Sequence, residues 1–269
     1  MVEQATPGAP VDRPGWVLEF DERFRGEDLD RGRWIPHYLP HWSSRDRSAA
    51  RYRIADGALR LRIEADQPPW CPEFDAGVRV SSLQTAVFAG PLGSTVGQHR
   101  FSPHAVVRET QPETRLYTPR YGLVEVRAKA VADPRCMVAL WMIGVEDRPE
   151  RSAEICVCEI FGRAVQSDSA QVGMGVHPFG DPRIVEEFAA ETVLADVTDF
   201  HTYAAEWSPE QVAFSVDGQP VKTVHQSPAY PMQLMLGIYE FPAQDGESAA
   251  DQTYPKEFVV DHVRGYRRA

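Results

Sequence analysis

Two glutamates, Glu154 and Glu159, stand five positions apart in a run that is otherwise apolar and rich in β-forming residues. No proline or glycine interrupts the run before Gly162, so the pattern predicts a strand. Two carboxyl groups in different environments can donate a proton and place negative charge beside a reacting carbon, which is the chemistry of glycosidic-bond hydrolysis. The competing interpretation is that both acids lie on the solvent face of a half-buried strand.

The spacing of the two glutamates requires an irregular strand. On a regular strand, residues five apart point to opposite faces because side chains alternate. One extra residue in a β-bulge restores the phase, so Glu154, Cys156 and Glu159 would project from one face. The two Cα atoms would then lie about 13 Å apart. Each side chain reaches inward, which leaves the carboxyl groups on the order of 5 Å apart, as in a retaining glycosidase.

The rest of the chain predicts β-structure. Asp56-Gly57 and Asp217-Gly218 stand between alternating segments and indicate hairpin turns. About a dozen strands and no amphipathic helix of three turns predict an all-β sandwich or barrel. The expected strands and hairpins are 16–20, 51–63, 78–88, 122–131, 137–145, the glutamate run, 172–177, 184–194, 200–207, 212–224, 232–241 and 257–266.

Two regions stand apart from this pattern. Residues 1–14 hold three prolines and little apolar content, and we expect a loosely ordered lead-in to a single domain over 15–269. Residues 66–119 are rich in proline and glycine. So long a loop-rich stretch inside a compact domain is usually functional, and we expect it to form a wall of a cleft.

Composition restricts the partners. The 269 residues carry a net charge of −11, which argues against nucleic acid or an anionic membrane surface and allows a neutral ligand. No apolar run is long enough to span a membrane. The start has no signal-peptide pattern, which predicts a cytoplasmic protein unless an export signal has been removed. We expect a monomer.

The glutamate run resembles the catalytic strand of glycoside hydrolase family 16, whose pattern is E-x-D-x-x-E in its bulged form. This chain reads E-I-C-V-C-E over 154–159, so both glutamates match and Cys156 replaces the aspartate. The likeness spans nearly the whole chain, except for about 66–118. Further similar segments, in the same order, are WVLEFDE (16–22), LD (29–30) with Trp34, YGLVEVRAK (121–129), ALWM (139–142), FHTYAAEW (200–207) and FVVDHVR (258–264).

This resemblance implies a fold and an activity. The fold would be a jelly roll, a β-sandwich of two curved antiparallel sheets with a groove along the concave face. Glu154 would be the nucleophile and Glu159 the acid and then base of a retaining endo-β-glycosidase. The substrate would be a polysaccharide or oligosaccharide, most simply β-1,3 or mixed β-1,3/1,4 glucan. The alternatives are a carbohydrate-binding protein of weakened activity on the same fold, and a transglycosylase.

Cys156 is the departure from the family pattern. An unperturbed thiol is mostly neutral at pH 7 and a weak hydrogen-bond donor. Losing the aspartate charge should let Glu159 ionise more readily, because like charges raise a carboxyl pKa. We therefore expect activity that is reduced, shifted to lower pH, or lost. A second interpretation makes Cys156 itself the nucleophile, with His177 as its base.

The resemblance also suggests substrate contacts. Trp141 would lie beside the scissile sugar, and His177 would contact the substrate or the acid/base. Trp207 would face the groove. Trp42 and Trp70, on loops beside prolines and charges, are predicted to be exposed stacking platforms. For the tryptophans, burial in the core is the competing interpretation.

The sequence also bears on metal sites and disulfide bonds. No cofactor is required, but many family members carry a structural calcium ion, and Glu22, Gly26 and Asp261 match its ligand positions. A zinc site is not expected, because the C-x-C of 156–158 lacks a companion cluster. Four cysteines allow three pairings, and Cys71 and Cys136 could form one.

Overall fold

The structure, a computed structural model, describes residues 13–243 and 253–269. Within these ranges, the helical segments are two 3₁₀ turns, Pro40–Trp42 and Gly162–Ala164. No helix in the described residues is long and apolar enough to cross a membrane. The strands are β1 (Trp16–Glu22), β2 (Arg51–Ala55), β3 (Ala58–Ile63), β4 (Arg79–Gln84), β5 (Ala86–Val87), β6 (Thr114–Arg115), β7 (Gly122–Lys129), β8 (Cys136–Gly144), β9 (Glu154–Phe161), β10 (Ala170–His177), β11 (Glu187–Val193), β12 (His201–Trp207), β13 (Val212–Val216), β14 (Gln219–Val224), β15 (Met232–Glu240) and β16 (Lys256–Arg268).

Two antiparallel sheets carry almost all of these strands. The eight-stranded sheet has the order β14-β13-β12-β7-β16-β3-β2, with β1 also paired to β16. The six-stranded sheet has the order β11-β10-β9-β8-β15-β4. The predicted all-β sandwich is therefore confirmed, and the glutamate run is β9, near the middle of the six-stranded sheet.

Both predicted hairpins form. Asp56 and Gly57 have φ of 55° and 71°, and Asp217 and Gly218 have φ of 49° and 76°. Positive φ at both central residues is the type I′ geometry whose twist matches the flanking strands. The lead-in predicted for 1–14 falls almost wholly outside the described residues.

One predicted strand is shorter than expected. The segment 184–194 becomes a strand only from Glu187, because the preceding backbone groups bond elsewhere. The N–H of Ile184 donates to the carbonyl of Asp181 in a turn, and that of Val185 donates to the side chain of Gln226.

Most of the buried apolar residues form two clusters with no member in common, and a third, small cluster consists of Leu123, Ala204 and Tyr266. The main cluster fills the space between the sheets and takes the inward residues of β9, such as Ile155 and Ile160. The second cluster, which we call the outward cluster, lies on the other face of the six-stranded sheet. It packs Trp141 and Met235 of that sheet against residues of 38–42, 70–80 and 105–107. The loop-rich segment is thus folded onto this face.

A buried group of charges closes one end of the six-stranded sheet. The Nζ of Lys256 lies 2.8 Å from Glu240 Oε1 and 2.8 Å from Asp133 Oδ2, and Lys256 and Glu240 are almost fully buried. Arg79 and Arg135 also face Glu240, at 3.2 and 3.4 Å. Because the carboxylate is removed from water, it depends on these cations for its stabilisation.

Replacing Lys256 by Met should lower the free energy of unfolding by about 3 kcal/mol, the low end for breaking a buried pair, because Arg79 and Arg135 remain. Urea unfolding measures this. Lys129→Met is the matched control: its ion pair with Asp199 is exposed, and it should cost at most about 1 kcal/mol. Equal losses in the two variants would show that the buried cluster is not stabilising.

Candidate active site

Strand β9 carries one residue more than either neighbour. Against β8, two consecutive residues pair with Cys156 and Cys158, so Val157 has no partner of its own. The register against β10 shifts at the same place. The extra residue brings Glu154 and Glu159 to the same face of the sheet, where both line one cavity. The predicted bulge is confirmed.

This cavity, of about 320 Å³, we call the catalytic pocket. Its floor is the outward face of the six-stranded sheet, with Glu154, Glu159, Trp141 and His177. The segment 66–119 supplies a wall, as predicted, with lining residues Asp75, Val78, His99 and Phe101.

A glycine gives Glu159 room. Gly173 of β10 lies opposite Glu159 in the register. A Cβ at Gly173 would stand 3.2 Å from Glu159 Cβ and 2.5 Å from the Phe188 ring. Only glycine therefore lets this glutamate and the aromatic ring approach the same backbone position.

Burial raises the pKa of both glutamates. The Glu154 pKa is raised well above its usual range, first by burial and then by the negative charges of Glu159 and Glu186. Burial also raises the Glu159 pKa, whereas electrostatic interactions with His177 and with the guanidinium of Arg163 lower it. Two interacting carboxyls of this kind titrate as a pair, which keeps one proton over a range in which a lone glutamate would have lost it. One shared proton is what an acid and a nucleophile together require.

His177 is one of the two groups that lower the Glu159 pKa. Its Nδ1 is 2.8 Å from Glu186 Oε1, and its ring packs 4.6 Å from that of Phe188. His177 lies opposite Glu154 in the register of β9 and β10 and lowers the Glu159 pKa, and its contact with the substrate or the acid/base stays a prediction.

Trp141 faces the catalytic pocket and not the space between the sheets. Its Nε1–H donates to the hydroxyl of Tyr239 at 3.1 Å, and its ring lies 5.0 Å from that of His99. These contacts fix the indole plane from two sides. An indole held in this way presents an apolar surface to a sugar at little entropic cost.

The expected exposure of Trp42 and Trp70 is wrong. Both rings are almost fully buried in the outward cluster. Trp42 donates from Nε1 to the carbonyl of Gln98 at 2.8 Å, and Trp70 donates to Asp75 Oδ2 at 2.6 Å. They stand behind the pocket wall and support it, because the loops that carry them fold back onto the sheet.

Trp207 does not face the groove either. It belongs to β12 of the eight-stranded sheet and is buried in the main cluster. Its Nε1 donates to Ser227 Oγ at 2.8 Å, and its ring meets that of Tyr121 edge to face at 5.2 Å. The side chain points between the sheets, so the core interpretation holds.

Cys156 is a buried neutral thiol. Its Sγ donates to the carbonyl of Gly173 at 3.8 Å, and burial raises its pKa well above the usual value, with Glu154 and Glu159 adding to the effect. A thiol that holds its proton is a poor nucleophile, so the arrangement does not favour a cysteine nucleophile. All four cysteines are unpaired, and the pairing of Cys71 with Cys136 does not form.

Restoring the aspartate should move the pH profile. In Cys156→Asp, a new negative charge beside Glu159 should keep that carboxyl protonated to higher pH, so the alkaline limb of kcat/KM should rise by about one pH unit. Cys156→Asn is the control, since asparagine has nearly the same shape as aspartate but carries no charge. A profile that moves equally in both variants would mean that the charge at this position does not tune the pair.

The expected calcium ligands are engaged in other contacts. Glu22 Oε1 accepts the N–H of Phe24 at 2.8 Å. Asp261 Oδ2 lies 2.7 Å from His262 Nδ1 and 3.6 Å from Arg127. The cavity that Glu22 and Gly26 line does not include Asp261. A carboxylate that faces Arg127, and a set of residues that do not all line one cavity, do not fit a calcium site.

Several pocket residues escaped the sequence analysis. His99, Asp75 and Phe101 belong to the segment predicted as a wall, but nothing in their spacing singles them out. Tyr239 could have been found, since alternation along β15 places it on the same face as Met235. Phe179, two residues after His177, is an exposed aromatic at the pocket rim.

The chain is similar to known proteins in both sequence and fold. The model of the family described as "Glycosyl hydrolases family 16" matches residues 113–257. A solved endo-β-galactosidase from Clostridium perfringens that releases GlcNAcα1-4Gal superposes with a TM-score of 0.82 at 29% identity, over 98% of this chain and 66% of that one. A laminarinase catalytic domain from Thermotoga petrophila gives a TM-score of 0.64 at 16% identity, over 94% and 98%. The shared fold confirms the expected jelly roll.

Among curated proteins, a beta-glucanase of Rhodothermus marinus is 26% identical over 176 residues, which is 55% of this chain. The match spans 57% of that relative, a little over half of its length. The family match covers more than half of the present chain and includes both glutamates of the catalytic pocket. The chain belongs to glycosyl hydrolases family 16.

Proposed function

We propose that the chain is a retaining endo-β-glycosidase acting on a neutral polysaccharide or oligosaccharide. The observation that carries this proposal is the bulge of β9, which sets Glu154 and Glu159 on one face of a single pocket. Trp141 offers a sugar an apolar surface in the same pocket, and His177 lines that pocket opposite Glu154 in the register of the sheet.

The two glutamates would divide the reaction between them. Glu154 attacks the anomeric carbon while Glu159 gives its proton to the leaving glycosidic oxygen, so the C–O bond breaks and a glycosyl ester forms on Glu154. Glu159, now ionised, then takes a proton from water as the water attacks the same carbon. Glu154 leaves as a carboxylate, and configuration is retained after two inversions.

The substrate that we propose first is a β-1,3 or mixed β-1,3/1,4 glucan. The beta-glucanase and laminarinase named above act, by their names, on glucans. The Clostridium relative supports a second candidate, a β-galactoside, because its TM-score of 0.82 and 29% identity extend over nearly the whole chain. The net charge of −11 fits a neutral glycan in either case.

One panel tests both substrates. Reducing-sugar release should be measured on laminarin, lichenan, agarose and a glycan ending in GlcNAcα1-4Gal, from pH 4 to 9. We expect release from one class, with products that first appear in the β configuration by proton NMR. Products of inverted configuration would contradict the mechanism. Oligosaccharide binding without any release would leave a carbohydrate-binding protein, and products longer than the substrate would indicate a transglycosylase.

A further inference from the structure

Three side chains stand in a row across neighbouring strands of the six-stranded sheet. His177 of β10 pairs with Glu154 of β9 in the register. On the other side of β10, Val176 pairs with Glu187. The residue that precedes Glu187 in the chain, Glu186, therefore stands opposite His177. Residues directly opposite on adjacent strands share a face of the sheet. The row therefore runs across one face, with the histidine in the middle and a glutamate on either side.

The carboxylate of Glu186 binds one nitrogen of this histidine. His177 Nδ1 lies 2.8 Å from Glu186 Oε1 and 3.0 Å from Oε2. An ionised carboxylate only accepts hydrogen bonds, so Nδ1 must carry the proton of this contact. In a neutral imidazole the other nitrogen, Nε2, then has a lone pair and no proton. Glu186 thus selects one tautomer of His177.

The second nitrogen lies on the catalytic side of the ring. His177 and Glu154 line the catalytic pocket, whereas Glu186 does not. The two nitrogens of an imidazole point in nearly opposite directions. Because Nδ1 is turned towards Glu186 on the β11 side, Nε2 is turned towards the β9 side and the pocket.

Aromatic rings hold the imidazole in this orientation. The ring centroid of Phe188 lies 4.6 Å from that of His177 at an interplanar angle of 32°, and that of Phe179 lies at 5.9 Å. Phe188 occupies the space that a side chain at Gly173 would fill, since a Cβ there would stand 2.5 Å from its ring. These neighbours fix the ring plane, and Glu186 determines which edge of the ring faces the pocket.

The segment that carries Glu186 is held on both sides of it. The side chain of Gln226 accepts the N–H of Val185 at 2.8 Å and donates to the Val185 carbonyl at 3.0 Å. The same amide donates to Glu187 Oε2 at 3.0 Å. Because the residues before and after it are both held, Glu186 reaches His177 from a defined backbone position.

The location of the imidazole proton matters for the catalytic carboxyls. A hydrogen bond donated to a carboxylate favours its ionised form. A proton on Nε2 would therefore oppose the acid, which must hold its own proton in the first step. The effect of His177 that lowers the Glu159 pKa is that of the charged ring, which carries a proton on both nitrogens. A lone pair on Nε2 instead accepts a proton from a sugar hydroxyl.

We propose that Glu186 is a positioning residue for the reaction: it holds His177 in the Nδ1–H tautomer, so that Nε2 accepts a hydrogen bond from a hydroxyl group of the sugar at Glu154. The proposal rests on the proposed function, because it assigns a partner to that substrate. It makes substrate binding depend, through His177, on a carboxylate that does not line the pocket.

The tautomer is measured without any substrate. Long-range proton–nitrogen correlation spectra at pH 8 distinguish protonated from unprotonated ring nitrogens, and His177→Ala identifies the signals of this ring among those of the eight histidines. We expect Nδ1 to be protonated and Nε2 unprotonated in the wild type. In Glu186→Ala the ring should change to the Nε2–H tautomer, which an imidazole in water prefers. The Glu186 side chain is 58% exposed, so its removal should leave the fold intact.

Glu187→Ala is the matched control. It removes a carboxylate one position away that contacts Gln226 and not His177. The two hydrogen bonds between Gln226 and Val185 remain in this variant and hold the segment. It should keep both the wild-type tautomer and the wild-type activity.

A double-mutant cycle measures the effect on the substrate. The probe is laminarin or the glycan ending in GlcNAcα1-4Gal, whichever is cleaved. Glu186→Ala should lower kcat/KM about tenfold, and should raise the Kd of that glycan by a similar factor in a Glu154→Gln background. In a His177→Ala background, Glu186→Ala should have no further effect. Rates are compared on the plateau of the pH profile, because the charge of Glu186 also raises the Glu154 pKa and so moves the acidic limb.

The outcomes separate this proposal from the proposed function. A wild-type ring protonated on Nε2, or an unchanged tautomer in Glu186→Ala, would overturn the positioning role. Hydrolysis by Glu186→Ala at the wild-type rate, or an equal loss in the His177→Ala background, would also overturn it and leave the proposed function standing. The expected tautomers with a weaker Kd in Glu186→Ala, but no hydrolysis by the wild type, would overturn the proposed function alone.

Discussion

Glu154→Gln should lower kcat/KM by about 10⁴-fold or more on every substrate, whatever its leaving group. The amide cannot form the glycosyl ester, and it removes the negative charge that stabilises the developing positive charge at the anomeric carbon. Gln has nearly the same volume as Glu, and the carboxyl is buried with an unfavourable charge, so the fold should be retained or slightly stabilised. Steady-state kinetics on laminarin and on a dinitrophenyl glycoside measures the loss.

Glu191→Gln is a suitable control for this loss. Glu191 lies on β11 of the same sheet, pairs with Lys222 at 3.3 Å, and does not line the catalytic pocket. It should keep full activity. If Glu154→Gln retained more than about a hundredth of the activity on the dinitrophenyl glycoside, Glu154 could not be the nucleophile.

Glu159→Gln should divide substrates by their leaving group. On a polysaccharide, loss of the general acid should cost about 10²–10⁴-fold. A dinitrophenolate leaves without protonation, so the first step should proceed on that substrate at nearly the wild-type rate. The second step lacks its base, and the glycosyl-enzyme should accumulate. Stopped-flow absorbance should therefore show a burst of dinitrophenolate equal to the enzyme concentration.

The opposite pattern would exchange the two roles. Burial raises the pKa of both glutamates, but only at Glu159 do neighbouring groups, His177 and Arg163, oppose that rise. In the protein alone, the direction of these effects favours ionisation of Glu159 over ionisation of Glu154, the opposite of the preference that the assignment from the motif requires. Positive charge developing on a bound sugar would favour the ionised form of Glu154 and reverse that preference. A burst in Glu154→Gln and uniform loss in Glu159→Gln would make Glu159 the nucleophile.

The central strand was predictable because its rules are local. Alternation is a property of every strand, so Glu154 and Glu159 can share a face only if one residue is added between them. The two hairpin turns followed from Asp-Gly pairs for the same reason. Neither inference depends on knowing which distant part of the chain packs nearby.

The surroundings of the pair were harder to predict because they depend on contacts between distant segments. Trp42 and Trp70 stand among prolines and charges, which normally indicate exposure, yet their loops pack on the outward face of the six-stranded sheet. Trp207 lies in a strand whose alternating residue pattern does not show which of its two faces packs between the sheets. His99 meets Trp141 across 42 positions of sequence, and no periodicity reports such a contact.

The separation of the two apolar clusters has a consequence for how this protein can change. The outward cluster builds the pocket wall, whereas the main cluster holds the sheets together, and they share no residue. Substitutions at distant, independent sites affect stability additively. Variation in the wall can therefore accumulate while the sandwich and its bulged strand stay intact, so substrate preference can evolve on a scaffold whose stability is selected separately.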